Sequence, residues 1–120
     1  MPTHPTDPRS PEQVARDWLA LTDAGSGPES WAAAATLFRR AVTPDAWAAQ
    51  LAAVRPPLGG VLTRTLESAR EATELPGAPD GVYVVLQFRT TFEHKRTATE
   101  TVTPMRDDDG QWRVAGYYIR

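Results

Sequence analysis

The stretch Val82-Tyr83-Val84-Val85-Leu86-Gln87-Phe88-Arg89-Thr90-Thr91-Phe92 decides the fold. Side chains of an extended chain alternate between two faces. Val82, Val84, Leu86, Phe88 and Phe92 share one face, and Tyr83, Val85, Gln87, Arg89 and Thr91 oppose them, which is the pattern of a strand covered on one side. The same period of two holds on either side of this run. Upstream, Leu62, Arg64 and Leu66 alternate with Val61, Thr63 and Thr65 across Gly60–Thr73. Downstream, Thr97–Arg106 carries a threonine ladder (Thr97, Thr99, Thr101, Thr103), and Gln111–Arg120 forms a last strand. The connections, Pro76–Gly81, a turn at His94-Lys95-Arg96 and Asp107-Asp108-Asp109-Gly110, are too short for parallel crossovers, so the strands are antiparallel neighbours. Pro104 donates no ladder hydrogen bond and demands a bulge or an edge, and Gly116 suggests a bend in the last strand.

N-terminal to Gly60 the period is helical. Ser10 caps a helix whose first position is Pro11, with Gln13 completing a capping box, and Val14, Trp18 and Leu21 mark its apolar face. A second helix spans about Glu29 to Ala41, with Trp31, Ala34, Ala35 and Phe38 on one stripe. Thr43-Pro44 opens a third, ending near Val54, with Trp47, Leu51 and Val54 at i, i+4 and i+7. Each helix has one tryptophan, read as a core anchor because a large ring seals a small core efficiently. The fold class is therefore α+β: three N-terminal helices packed on a curved four-stranded antiparallel sheet. Residues 10–120 form one domain, preceded over residues 1–9 by a disordered tail with prolines at 2, 5 and 8.

Composition narrows the function classes. The chain has 120 residues, no cysteine and a net charge of −2, so thiol catalysis, disulfides and thiolate metal sites are excluded. Residues 1–60 carry five Lys/Arg against six Asp/Glu, and residues 61–120 eight against nine. Neither half has the clustered positive field that nucleic acid or an anionic membrane attracts. A single lysine against twelve arginines points to a GC-rich genome. No apolar run approaches the roughly 20 residues needed to span a bilayer. No apolar leader precedes the domain, which by itself points to the cytoplasm. His4 and His94 lie in the tail and at a turn, no metal-binding spacing surrounds them, and no cofactor motif is present.

Trp31, Pro57-Leu58-Gly59, Leu75-Pro76-Gly77-Ala78-Pro79-Asp80-Gly81-Val82-Tyr83, Glu100-Thr101-Val102 and Asp109-Gly110-Gln111-Trp112-Arg113-Val114-Ala115-Gly116-Tyr117-Tyr118 together resemble a bacterial family, the domain-of-unknown-function family numbered 4019. The resemblance runs from about Pro11 to the end. It implies a cystatin-like cone of the nuclear-transport-factor-2 type, with helices wrapped by a strongly curved sheet. It also implies relatives that are often exported, and it supplies no activity.

Strand parity gives the candidate site. If Leu62 and Leu66 face the helices, Arg64 does too; if the threonine ladder faces solvent, Ala98, Glu100 and Val102 point inward. Arg64 and Glu100 would then meet as a buried polar pair across the Leu86/Phe88 strand. Tyr118, placed inward by parity with Trp112 and Val114, would hydrogen-bond the pair, so Tyr118 and Trp112 are the candidate pocket residues. As an enzyme, the chain would use Glu100 as a general base with Tyr118 stabilising an oxyanion. As a structural device, the pair would satisfy itself. An arginine beside a carboxylate lowers its pKa, whereas a general base works best near the operating pH, so the electrostatics favour the structural role. The reading is a non-enzymatic module that binds a small molecule or a protein, with homodimerisation through the outer sheet face (Tyr83, Val85, Gln87, Arg89) as the partner expectation. The alternative is an isomerase or hydrolase-like enzyme working in a cone pocket.

Overall fold

The computed structural model describes residues 9–120. The expected tail therefore lies, apart from Arg9, outside the described residues; Arg9 itself donates to Asp17 at 2.9 Å.

Helix α1 spans Pro11–Asp23 and begins where the sequence says it should. The Ser10 hydroxyl accepts from the Gln13 amide at 3.1 Å, which satisfies one of the otherwise orphaned N–H groups of the first turn. Its buried side holds Val14, Ala15, Trp18, Leu19 and Thr22. The expected second helix is two: α2 (Gly27–Ala33) and α3 (Thr36–Ala41). Between them Ala34 and Ala35 are extended and fully buried. The break has two partners distant in sequence. The Ala35 amide donates to the Val114 carbonyl at 2.8 Å, and the Thr36 amide and hydroxyl both donate to the Asp107 carboxylate, at 3.0 and 3.1 Å. Helical periodicity cannot see such partners, because they come from the far end of the chain. Helix α4 (Pro44–Leu58) is capped by Thr43, which accepts from the Ala46 amide, and it runs through Pro56 and Pro57 to Gly59. A full turn more than expected places Arg55 on its buried side and leaves Val54 exposed.

The sheet is a meander, β1 (Val61–Ala72), β2 (Tyr83–Phe92), β3 (Lys95–Arg106) and β4 (Trp112–Ile119), paired antiparallel in the order β1-β2-β3-β4 and left open. Helices and antiparallel sheet together make an α+β fold. Val84, Leu86, Phe88 and Phe92 on β2, Ala98 and Val102 on β3 and Val114 on β4 meet the helices. The core centres on stacked Trp18 and Trp47, 5.7 Å apart between centroids, with Phe38 edge-on to both. Both indole N–H groups end on Ser30: Trp18 donates to its carbonyl at 2.8 Å and Trp47 to its hydroxyl at 2.9 Å. Trp31 is only half-buried and donates to the Val42 carbonyl at 2.7 Å.

Each strand pair carries register shifts, and an extra residue bends the strand that holds it. Two of them overturn parity arguments. Near the start of β1 the register slips between Val61 and Thr63, and Leu62 is 62% exposed rather than inward. On β4, Thr103 pairs with Gly116 but Pro104 with Val114, so Ala115 is the extra residue. Among the described residues, no helix is long and apolar enough to cross a membrane.

Candidate functional site

The covered face of the sheet is apolar except at one end. There β1 contributes Arg64, β2 Thr90, β3 Glu100 and β4 Tyr117, while the C-terminal turns of α1 and α4 contribute Asp23 and Arg55. Arg64 and Glu100 stand on the two strands flanking β2, and the Arg64 Nε–H donates to Glu100 Oε1 at 2.8 Å. The register is continuous between Leu86–Val102 and Thr90–Ala98, which keeps Glu100 opposite Phe88 and on its face.

Glu100 is completely buried and accepts from three sides: Arg64 and the Thr90 hydroxyl on Oε1, the Tyr117 hydroxyl on Oε2. The hydroxyl on Glu100 is thus that of Tyr117, not Tyr118. Ala115 is the reason: one extra residue reverses the alternation beyond Val114, turning Tyr117 inward against Trp18, 5.4 Å between ring centroids, and leaving Tyr118 49% exposed. Burial, followed by the negative charge of Glu100, raises the pKa of Tyr117 far above the ordinary phenol value, so it remains a donor. Trp112 stands at the opposite end of β4, with Arg106 stacked over its ring, and the structure does not bring it together with Tyr118 or with the polar cluster.

Arg64 also forks onto Asp23, donating from Nη1 to Oδ2 at 2.9 Å and from Nη2 to Oδ1 at 3.1 Å. Burial raises the pKa of the Asp23 carboxyl, but hydrogen bonds and charge from Arg64 and Arg55 outweigh it and hold that carboxyl below its usual range. Burial alone would lower the Arg64 pKa, yet its two carboxylate partners raise it further, so the guanidinium stays charged. Two carboxylates thus balance two guanidiniums.

Arg55 is the member that is buried but not satisfied. It is 6% exposed, lies with its guanidinium carbon 4.9 Å from the Phe92 ring centroid, and donates from Nη1 to Asp23 Oδ1 at 2.6 Å. Its Nε is buried without a partner. A buried donor left unmade costs about 1–3 kcal/mol.

Arg55 walls two clefts. One, about 450 Å³, opens between the α1–α2 turn and α4 and is lined by Asp23, Gly27, Pro28, Leu51, Ala52 and Pro56 beside it. The other, about 270 Å³, runs between α4 and β4 past Trp47, Val54, Tyr117 and Tyr118. Among the described residues, no group of three or more His, Asp or Glu could hold a metal ion.

The outer sheet face differs from its expected form. Tyr83 is 1% exposed and donates to the Pro79 carbonyl at 2.5 Å, so its ring is covered by its own β1–β2 connection. Arg89 pairs with Glu67 at 2.7 Å and Gln87 accepts from Ser68 at 3.2 Å.

Sequence reasoning missed Asp23, Arg55, Thr90 and Tyr117. Signals for the first two were present: Asp23 is four residues beyond buried Leu19, and Arg55 four beyond buried Leu51, each the next step of an apolar stripe. Thr90 lies between Phe88 and Phe92 on the inner face and needed only the parity rule.

Residues 14–117 match the family described as "Protein of unknown function (DUF4019)", and the chain belongs to it. No characterised protein and no solved structure matches the chain.

Proposed function

Because the chain belongs to a family without an assigned activity, we propose on its own geometry that it is a non-enzymatic binding module. It takes a small molecule in the cleft between the α1–α2 turn and α4. Residues 10–120 act as one unit in this reading, a cystatin-like cone whose helical side carries the cleft. The observation that carries it is the state of Glu100. A general base needs a free lone pair within reach of a substrate proton. Glu100 is sealed from solvent and holds three donors, and Tyr117 beside it keeps its own proton. The cluster is built to hold α1, α4 and the sheet in one arrangement, and the cleft beside it is what remains available. Its volume falls in the 300–1,000 Å³ range of small-molecule sites.

The test is a thermal-shift screen against metabolites, run in parallel on the wild type and on Ala52→Trp. Ala52 is exposed on α4 and lines the cleft, so an indole there fills the space without disturbing the core. Compounds that raise the wild-type Tm and not that of Ala52→Trp support the reading. Stabilisers that act equally on both, or none at all, refute it.

A second reading rests on a different observation. The exposed side of α4 carries Ala46, Ala49, Gln50, Ala53 and Val54 without a charge, and Tyr118 extends it. An uncharged surface of this kind suits a protein partner. A stable complex or dimer lost in Val54→Lys, followed by mass in solution, would favour that reading over the cleft.

A further inference from the structure

The guanidinium of an arginine offers five N–H donors in a planar fork. Arg64 donates from all three of its nitrogens, with hydrogen bonds to Asp23 and Glu100. Arg55, more deeply buried, makes one hydrogen bond within the described residues, from Nη1 to Asp23, and its Nε has none. Its orientation is nevertheless fixed, by Asp23 at one end and by the Phe92 ring below. Its Nη2 makes no hydrogen bond among the described residues and, unlike Nε, is not sealed, so a guanidinium held in place at the cleft wall has donors left for an acceptor from outside the chain.

We propose that Arg55 is the ligand-recognising group of the 450 Å³ cleft, and that the ligand offers it an uncharged oxygen acceptor, an amide, ketone or ester carbonyl, on an apolar body. This rests on the cleft reading above and adds the chemical class. Charge selects the acceptor. Asp23 and Glu100 already balance Arg55 and Arg64, so a ligand carboxylate would bring a third negative charge beside Asp23 in a partly dehydrated site. A carbonyl oxygen accepts the hydrogen bond and leaves the balance intact. The body of the ligand lies against Pro28, Leu51, Ala52 and Pro56, which give the cleft its apolar walls. Arg55 Nε is sealed from solvent, so the ligand meets the guanidinium on the edge lining the cleft, and the Nε–H resonance reports that contact.

The experiment is an NMR titration of the full chain with two probes of one shape, cyclohexanecarboxamide and cyclohexanecarboxylate, against wild type, Arg55→Lys and Ala52→Trp. Arg55→Lys keeps the charge facing Asp23 and loses the planar fork. The expected result is that the carboxamide shifts the Arg55 Nε–H resonance and binds at least tenfold tighter than the carboxylate. Its affinity falls at least tenfold in Arg55→Lys, and binding is lost in Ala52→Trp. Equal or tighter binding of the carboxylate overturns the choice of an uncharged acceptor. An unchanged carboxamide titration in Arg55→Lys overturns the role of Arg55 while leaving the cleft in place. Unchanged binding in Ala52→Trp removes the cleft reading and this inference together. A wild type that responds to neither probe overturns the inference alone, since the metabolite screen decides the cleft separately. Should Arg55→Lys fail to fold, the wild-type ratio of the two affinities and the Nε–H shift still decide.

Discussion

Replacing Glu100 by glutamine keeps the shape of the side chain and removes its charge. The amide oxygen can still accept from Arg64 and Thr90, and the new N–H₂ can donate to Tyr117 if that hydroxyl reverses its role. What cannot be restored is the balance of two guanidiniums against two carboxylates, because Asp23 alone would then face Arg55 and Arg64. Breaking a buried ion pair by removing one partner costs about 3–5 kcal/mol. That is a large share of a total stability of about 5–15 kcal/mol. With a urea m-value of about 1–3 kcal/mol/M, the midpoint should fall by about 1–5 M. Urea unfolding followed by circular dichroism and tryptophan fluorescence reads this directly, since Trp18 meets Tyr117 edge to face beside the network. The double variant Arg64→Met/Glu100→Met adds a control. It leaves Asp23 paired with Arg55 and no uncompensated charge, so its loss should fall short of the summed single losses by about 0.5–3 kcal/mol. A Glu100→Gln protein within about 0.5 kcal/mol of wild type, or strict additivity in the cycle, would refute the view that this pair holds the fold.

The other expectations are simpler. Tyr117→Phe strips the donor from Glu100 Oε2 and should cost about 1–3 kcal/mol, whereas Tyr118→Phe, at an exposed ring, should change chemical denaturation by less than about 0.5 kcal/mol. The raised Tyr117 pKa means that the folded state holds this proton more tightly than the unfolded state. Its contribution is complete below the unfolded phenol value of about 10 and is lost as pH rises above it, so an alkaline unfolding scan should be flatter in Tyr117→Phe. Asp23 has the opposite sign. Its lowered pKa gives stability that is present above about pH 4 and lost as pH falls through its folded value, and Asp23→Asn should reduce the slope of stability against pH in that acid window. Asp107→Ala removes the carboxylate that caps Thr36 and accepts from Arg113, and denaturation should show a loss of about 0.5–2 kcal/mol.

The strands were legible in the sequence because alternation is a local property, and Val84, Leu86, Phe88 and Phe92 display it on their own. The position of Glu100 followed from the same rule, since the register of β3 is unbroken from Ala98 to Val102. Its partner Arg64 was reached from a premise that fails at Leu62, where the register slips before settling. The remaining errors share one physical cause. Pro104 announced a bulge, but the sequence does not say that the extra residue lies on the neighbouring strand, at Ala115, where it exchanges the two tyrosines. The break between α2 and α3 depends on Val114 and Asp107, which no window of helical periodicity contains. Helix α4 runs past its expected end through Pro56 and Pro57, although each removes an i→i−4 hydrogen bond, and that additional turn carried Arg55 into the site.

Ala115 divides β4 into two phases of one wave. Trp112 to Val114 keep the phase set by the hairpin, and Tyr117 to Ile119 keep the opposite one. The identity of the residue touching Glu100 is therefore decided by the bulge rather than by side-chain chemistry: regular pairing of β4 at its present length would turn Tyr118 toward the carboxylate, whereas deletion of Ala115 would leave Tyr117 two residues after Val114 and still inward.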